Sequence, residues 1–309
     1  MGTKSCRLHR LMRPGLRDQM ACTERRQMSG LVFACIAPHG SMIIPLLNEE
    51  DGQKALVTRA AMEELGRRMA AVQPETIVLI TPHGHRVDGA FSLLNNERVR
   101  GEIASEEGSG GSFALVFDVD KELNSAIVDA AQALQVPVTR IGYAVADDPG
   151  FWQPLDWGAS VPLWFMGGMS HPRPKVVIAC ADRGNMAWEL FAPFGKAIRQ
   201  AAESIGRNIA LIASADMGHA HDENGPYGYD PAAAEFDAAT IEAIKDQDPG
   251  RLLTFDPAWL QKASTDAFGQ ILNLHGAIEG TDFRGELLSY EVPTYFGMMC
   301  VAYEVKSSG

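Results

Sequence analysis

Short apolar runs, each cut off by a polar or turn-forming residue, punctuate the chain. Residues 31–37 (LVFACIA), 75–81 (ETIVLIT), 175–181 (KVVIACA) and 208–214 (NIALIAS) are each seven residues long. Uninterrupted apolar runs of this length predict strands buried on both faces, as in a parallel sheet covered by helices. Between them the pattern changes period. Residues 55–73 repeat apolar side chains (Leu56, Ala60, Met62, Leu65, Met69, Val72) along one broad helical stripe. Residues 120–134 read as an amphipathic helix capped by Asp120, residues 186–205 look helical, and Asp230-Pro231 opens another helix with an acid at the N-cap and proline in the first turn. Residues 90–103 read as an extended segment or hairpin, and 286–305 close the chain with two strand-like runs. Strands alternating with helices predict an α/β fold, a single domain with a mostly parallel central sheet flanked by helices.

Composition sharpens this picture at the N-terminus. Residues 1–30 hold seven Lys/Arg and two Asp/Glu, which leaves 20 basic and 37 acidic groups for the rest. No apolar period runs through this stretch, so residues 1–28 read as a basic, disordered extension and 29–309 as the folded domain; Met28 is an alternative start. The formal net charge of −12 disfavours a phosphate backbone, so no nucleic acid is expected as partner. No run of about 18 apolar residues is present, so no membrane span is expected. The five cysteines (Cys6, Cys22, Cys35, Cys180, Cys300) are scattered without a CxxC pair. They argue against a disulfide framework and a cysteine-rich zinc site, and they fit a cytoplasmic protein.

The histidines carry the candidate chemistry. His39 and His83 each follow a predicted buried strand within a Pro-His-Gly turn (APHGS, TPHGH). Ligands of open α/β sheets bind beyond the carboxyl ends of the strands, so the repeated device can bring two imidazoles to one metal. A third strand leads into the chain's densest ionisable stretch, SADMGHAHDENGPYGYDPAAAEFD (214–237), with Asp216, His219, His221, Tyr227, Tyr229 and Glu235. Three alanines before Glu235 keep that helix slim, so a carboxylate there can approach another element. Two histidines and one carboxylate make the facial triad of non-haem Fe(II) oxygenases. On the residues alone, a solvated Glu235 on a helix surface remains open.

The strand-APHG start, the strand-TPHGH turn, LDWGASVPLWFM (155–166), SADMGH (214–219), PYGYDPAAAEFD (226–237) and TYFGMMCVAYE (294–304) stand in the order and spacing of one family. Over about residues 31–305 the chain resembles the LigB-type, or class III, extradiol ring-cleaving dioxygenases. The resemblance implies a single α/β domain, Fe(II) as cofactor, His39, His83 and Glu235 as metal ligands, and His219 as the acid–base residue. It implies an aromatic substrate of catechol or aminophenol type, cleaved with incorporation of both atoms of O2. Imidazole ordinarily titrates near neutral pH, which suits it to take a substrate hydroxyl proton. Tyr227 and Tyr229 are candidate substrate donors, and His85 and His221 candidate substrate contacts. Where the family often has a histidine after an aspartate, this chain has Trp157, expected to stack on or enclose an aromatic substrate. Two other readings stand beside this one: a Memo-like metal-binding relative without dioxygenase activity, and a zinc- or manganese-dependent hydrolase on the same triad. Further copies of the chain or a small accessory subunit, as some family members use, are the remaining partner expectations.

Overall fold

The computed structural model describes residues 30–47, 50–105, 110–142, 151–182, 184 and 186–305. The basic extension expected over 1–28 therefore lies outside the described residues. In chain order the first half comprises β1 (Gly30–Ala37), α1 (Leu56–Val72), β2 (Thr76–Thr81), β3 (Phe91–Leu94), β4 (Arg98–Ala104), β5 (Ser112–Asp118), α2 (Lys121–Ala133), β6 (Val138–Ile141) and β7 (Trp152–Pro154). The second comprises α3 (Trp157–Phe165), β8 (Lys175–Ala181), α4 (Phe191–Ser204), β9 (Asn208–Ser214), α5 (Pro231–Lys245), α6 (Pro257–Ala263), α7 (Ala267–Ile278), β10 (Phe283–Glu291) and β11 (Met298–Val305).

Eight strands form the main sheet in the order β10-β11-β1-β9-β2-β8-β3-β6. Its centre is parallel: β1 pairs with β9, β9 with β2, and β2 with β8. These are the four apolar runs read from the sequence. The pleat explains why each run is apolar throughout. Phe33, Cys35 and Ala37 of β1 face one core, while Ala34 and Ile36 face the other. β2 repeats the pattern, with Ile77 and Leu79 on one side and Val78 and Ile80 on the other. Alternation is hidden because both faces are covered. β11 closes one side antiparallel to β1, and β3 joins antiparallel to β8. Cys35, Cys180 and Cys300 are buried within the strands, and none is in a disulfide.

The segment 90–103 does not form a hairpin. Phe91–Leu94 is fully buried in the main sheet, whereas Arg98–Ala104 leaves it to form a separate three-stranded sheet, ordered β5-β4-β7. The exposed and buried positions that alternate along β4 suit a sheet with one wet face. The helix expected over 186–205 begins as a 3-10 turn at Trp188–Leu190 and becomes α-helical only at Phe191. Asp120 caps α2 by accepting from the Leu123 N–H at 3.1 Å, and Asp230 caps α5 by accepting from the Ala232 N–H at 2.9 Å. Among the described residues, no helix is long and apolar enough to cross a membrane.

Candidate metal centre

Three adjacent parallel strands of the main sheet deliver their ligands by the same step. His39 stands two residues beyond the end of β1, His83 two beyond β2, and Asp216 two beyond β9, which lies between them. The fourth member, Asp266, comes from the α6–α7 connection. His39 Nε2 and His83 Nε2 are 3.1 Å apart. Asp266 Oδ2 lies 3.5 Å from His39 Nε2 and 3.2 Å from His83 Nε2, and Asp216 Oδ2 lies 3.2 Å from His39 Nε2. Neighbouring ligand atoms about 2.1 Å from one cation are spaced by about 3.0 Å in octahedral and about 3.4 Å in tetrahedral geometry. The His39, His83 and Asp266 donor atoms match that spacing, and the chemistry of two imidazoles and a carboxylate suits a divalent metal.

The shell behind these donors fixes their state. The Ser214 hydroxyl donates to the Gly158 carbonyl. Its single proton is thereby used, so its oxygen accepts from His39 Nδ1–H at 3.0 Å. Neutral His39 then carries its proton on Nδ1 and points the Nε2 lone pair at the cluster. The His39 backbone N–H donates to Asp216 Oδ1 at 3.0 Å, and the Asp216 N–H donates to Asp266 Oδ1 at 2.9 Å. Thr81 Oγ1 accepts from the His83 N–H and donates to Asp156 Oδ1 at 2.6 Å, which also caps α3.

Electrostatics follow from burial. Desolvation lowers the His39 imidazole, but the charges of Asp216 and Asp266 outweigh it and bring the group to about 9. Burial opposes ionisation of Asp266, yet His39 and His83 hold it well below the usual carboxylate range. Asp216 is raised, first by burial and then by Asp266, with His39 opposing. Metal-free, the site holds a proton on His39 where a cation fits.

His219 sits at the border of two cavities. One, of about 510 Å³, includes Arg86, Trp188, Gln261, Ser264 and Thr265; the other, of about 850 Å³, includes Asp51, Glu102, Trp157, Tyr295 and Phe296. His83, His219 and Tyr227 line both. The His219 ring stacks on Phe296 with centroids 5.4 Å apart and meets Tyr227 edge-on at 5.3 Å. Its Nδ1 is buried without a hydrogen-bond partner among the described residues. Gly218 makes this placement attainable: a Cβ there would lie 2.8 Å from Ala233 Cα on α5. The slim alanine surface read from the sequence thus serves the approach of the His219 loop.

The remaining candidates separate. Glu235 does not stand beside the two histidines; Asp266 does. Ala232, Ala233, Phe236, Asp237 and Thr240 take the inward face of α5, which turns Glu235 outward to accept from Trp259 Nε1 at 3.1 Å. Trp157 is half-exposed and stacks on the His83 ring at 4.2 Å. Tyr229 is exposed and pairs by its backbone with His221. His221 Nε2 lies 2.9 Å from Asp237 Oδ2, away from both cavity linings, and His85 is exposed. Asp266 and Asp216 escaped the sequence reading as ligands. Asp216 shares the strand-plus-two position of the histidines and was open to the same argument. Asp266 carries the signature of a helix N-cap before α7, like Asp156, Asp230 and Asp256, but its side chain makes no cap bond and turns to the histidines instead.

Known proteins agree with this architecture. The chain is 28% identical over 256 residues to Protein CA_C1420 of Clostridium acetobutylicum, covering 83% of this chain and 54% of that one. It thus spans about half the length of that curated relative. Its fold resembles the crystal structure of the uncharacterized protein JW3007 from Escherichia coli K12, with a TM-score of 0.53, 17% identity, and coverage of 88% of this chain and 99% of that one. Residues 33–300 match the family described as the catalytic LigB subunit of aromatic ring-opening dioxygenase, and the chain belongs to that family.

Proposed function

We propose that the protein is an Fe(II)-dependent extradiol dioxygenase that opens the ring of a catechol- or aminophenol-type aromatic and incorporates both atoms of O2. The observation that supports this best is the convergence of His39 Nε2, His83 Nε2 and Asp266 Oδ2 beside His219, between two cavities. His39, His83 and Asp266 would hold the metal, with Asp266 in the role the resemblance gave to Glu235. Fe(II), when bound, supplies Lewis acidity toward adjacent ring hydroxyls and the redox chemistry that dioxygen requires. Ser214 orients the His39 ring through Nδ1, and Trp157 holds the plane of His83 by stacking. His219 receives a proton from the substrate hydroxyl and returns it during ring opening. Phe296, Tyr295 and Trp157 give the larger cavity aromatic walls against which a flat ring packs and from which water is displaced.

The test is oxygen uptake by anaerobically Fe(II)-loaded protein offered catechols, dihydroxybenzoates and aminophenols, with visible absorbance followed for a ring-opened product. Stoichiometric uptake with a coloured product is the expected result, and none across the panel with iron bound sinks the reading. His219→Ala keeps its iron and loses roughly 100- to 10,000-fold in turnover.

A further inference from the structure

His219 rides on the segment between β9 and α5, and the backbone around it is tied to three other parts of the chain. The Met217 N–H donates to the Gly297 carbonyl at 2.8 Å, and the Gly297 N–H donates back to the Gly218 carbonyl at 3.0 Å. The His219 N–H donates to the Ala263 carbonyl at 3.0 Å, and the His221 N–H to the Tyr295 carbonyl at 3.2 Å. The Gly218 N–H, directly before the imidazole in the chain, goes to a side chain instead: Asp237 Oδ1 accepts it at 2.8 Å. A hydrogen bond from an N–H to a carboxylate is roughly twice as strong as one to a neutral carbonyl.

Asp237 is itself pinned. It is buried on the inward face of α5, and its Oδ2 accepts from Tyr290 Oη of β10 at 2.7 Å and lies 2.9 Å from His221 Nε2. Burial, followed by Asp237, pushes the Tyr290 phenol up, so the hydroxyl keeps its proton and stays a donor. Gly297 clears the seat, because a Cβ there would collide with Asp237 Oδ2. One carboxylate thus joins the His219 loop, α5 and β10. The imidazole depends on that joint. Its Nδ1 is buried without a hydrogen-bond partner among the described residues, so on that side the ring is located by packing on Phe296, with planes 16° apart, and by the backbone that carries it. Asp237 is absent from the linings of both cavities, so it reaches His219 through the loop alone.

From this geometry we infer that Asp237 is the positioning residue of His219: its carboxylate, held by Tyr290 and His221, fixes the Gly218 N–H and thereby sets the imidazole against Phe296 beside the histidine–aspartate cluster. The effect on turnover rests on the dioxygenase reading; the placement of the ring does not. A displacement of about 1 Å in a reacting group costs on the order of 100-fold in rate, so a bond two turns into a neighbouring helix can govern the acid–base step without touching the substrate.

The test reads the ring directly, by NMR on full-length metal-free protein with protonated His and Phe in a deuterated background. The wild type is expected to show a cross-relaxation contact between the His219 and Phe296 ring protons. D237A is expected to lose that contact, while D237N, which retains an oxygen for the Gly218 N–H, keeps it. A contact undiminished in D237A, or lost equally in D237A and D237N, overturns the positioning role. The wild-type Gly218 amide gives a second reading that needs no variant. It is expected to exchange with solvent at least about 100-fold more slowly than an exposed loop amide, and exchange at the loop rate overturns the inference even where D237A folds poorly. Oxygen uptake by Fe(II)-loaded samples is read separately. With a diol that the wild type turns over, D237A is expected to lose about 100-fold in kcat with KM changed by less than about threefold, and D237N to recover most of the loss. A displaced ring in D237A with no uptake by the wild type leaves the positioning role standing and removes the dioxygenase reading; uptake by the wild type with an undisplaced ring in D237A does the reverse.

Discussion

Two histidine–aspartate clusters flank His219 in the sequence, through Asp216 on one side and His221 and Asp237 on the other, and do opposite work. In the first, Asp237 accepts from the Gly218 N–H at 2.8 Å, from Tyr290 Oη at 2.7 Å and from His221 Nε2 at 2.9 Å. Each carboxylate oxygen has a donor, and burial followed by Asp237 pushes the Tyr290 phenol up. In the second, His39 Nε2 lies within 3.5 Å of His83 Nε2, Asp216 Oδ2 and Asp266 Oδ2, and His83 Nε2 lies 3.2 Å from Asp266 Oδ2. Two imidazole nitrogens there face each other with no neutral donor between them. A satisfied cluster holds a fold together, while one that concentrates lone pairs is costly until a cation fills it.

The sharpest way to break this contrast is to remove one member from each cluster. Asp266→Ala is expected to weaken metal binding roughly 1,000-fold, read by equilibrium dialysis, with Glu235→Ala changing it by less than about twofold. Equal losses in the two variants would return Glu235 to the ligand set. Asp237→Ala is expected to leave metal stoichiometry intact and to cost roughly 3 kcal/mol in urea unfolding, since it strands the buried Gly218 N–H and the partly buried His221 and Tyr290 donors. A metal-poor but stable Asp237→Ala protein would merge the two clusters into one.

Smaller changes sharpen the comparison. Ser214→Ala removes the acceptor of His39 Nδ1–H and is expected to weaken metal affinity about 10- to 100-fold without moving the donors. The pH dependence follows from His39, whose metal-free form titrates at about 9. Below that pH a metal displaces its proton, so apparent affinity rises by about tenfold per pH unit toward 9 and then levels. The sign for the metal-free fold is opposite. A group raised above its unfolded value of about 6.5 contributes fully below that pH and loses its contribution as pH climbs through 9. Dialysis and thermal unfolding across pH 6–10 read the two trends together.

The sheet centre was legible because four apolar runs, each closed by a change of pattern, admit few other readings. His39 and His83 were legible for the same reason: a strand end fixes position, and both turns repeat. Glu235 shows where motif reading gives way to helical geometry. The buried positions Ala232, Ala233, Phe236, Asp237 and Thr240 leave the intervening residue facing solvent, a consequence of the 3.6-residue turn. Asp266 was hidden for a different reason. An aspartate before a helix usually bonds the first-turn amides, and nothing local distinguishes one whose side chain turns to a distant partner.

The three-stranded β5-β4-β7 sheet divides labour within the domain. Its strand β4 and the loop after β7 supply Glu102, Ile103, Ala104 and Leu155 to the wall of the larger cavity, while every donor of the cluster comes from elsewhere. Substrate size and polarity on that side are thus inherited separately from the reactive centre. Exchanging this small sheet between relatives is a route to new acceptance ranges that leaves the parallel strands, and the geometry they impose on His39 and His83, as they are.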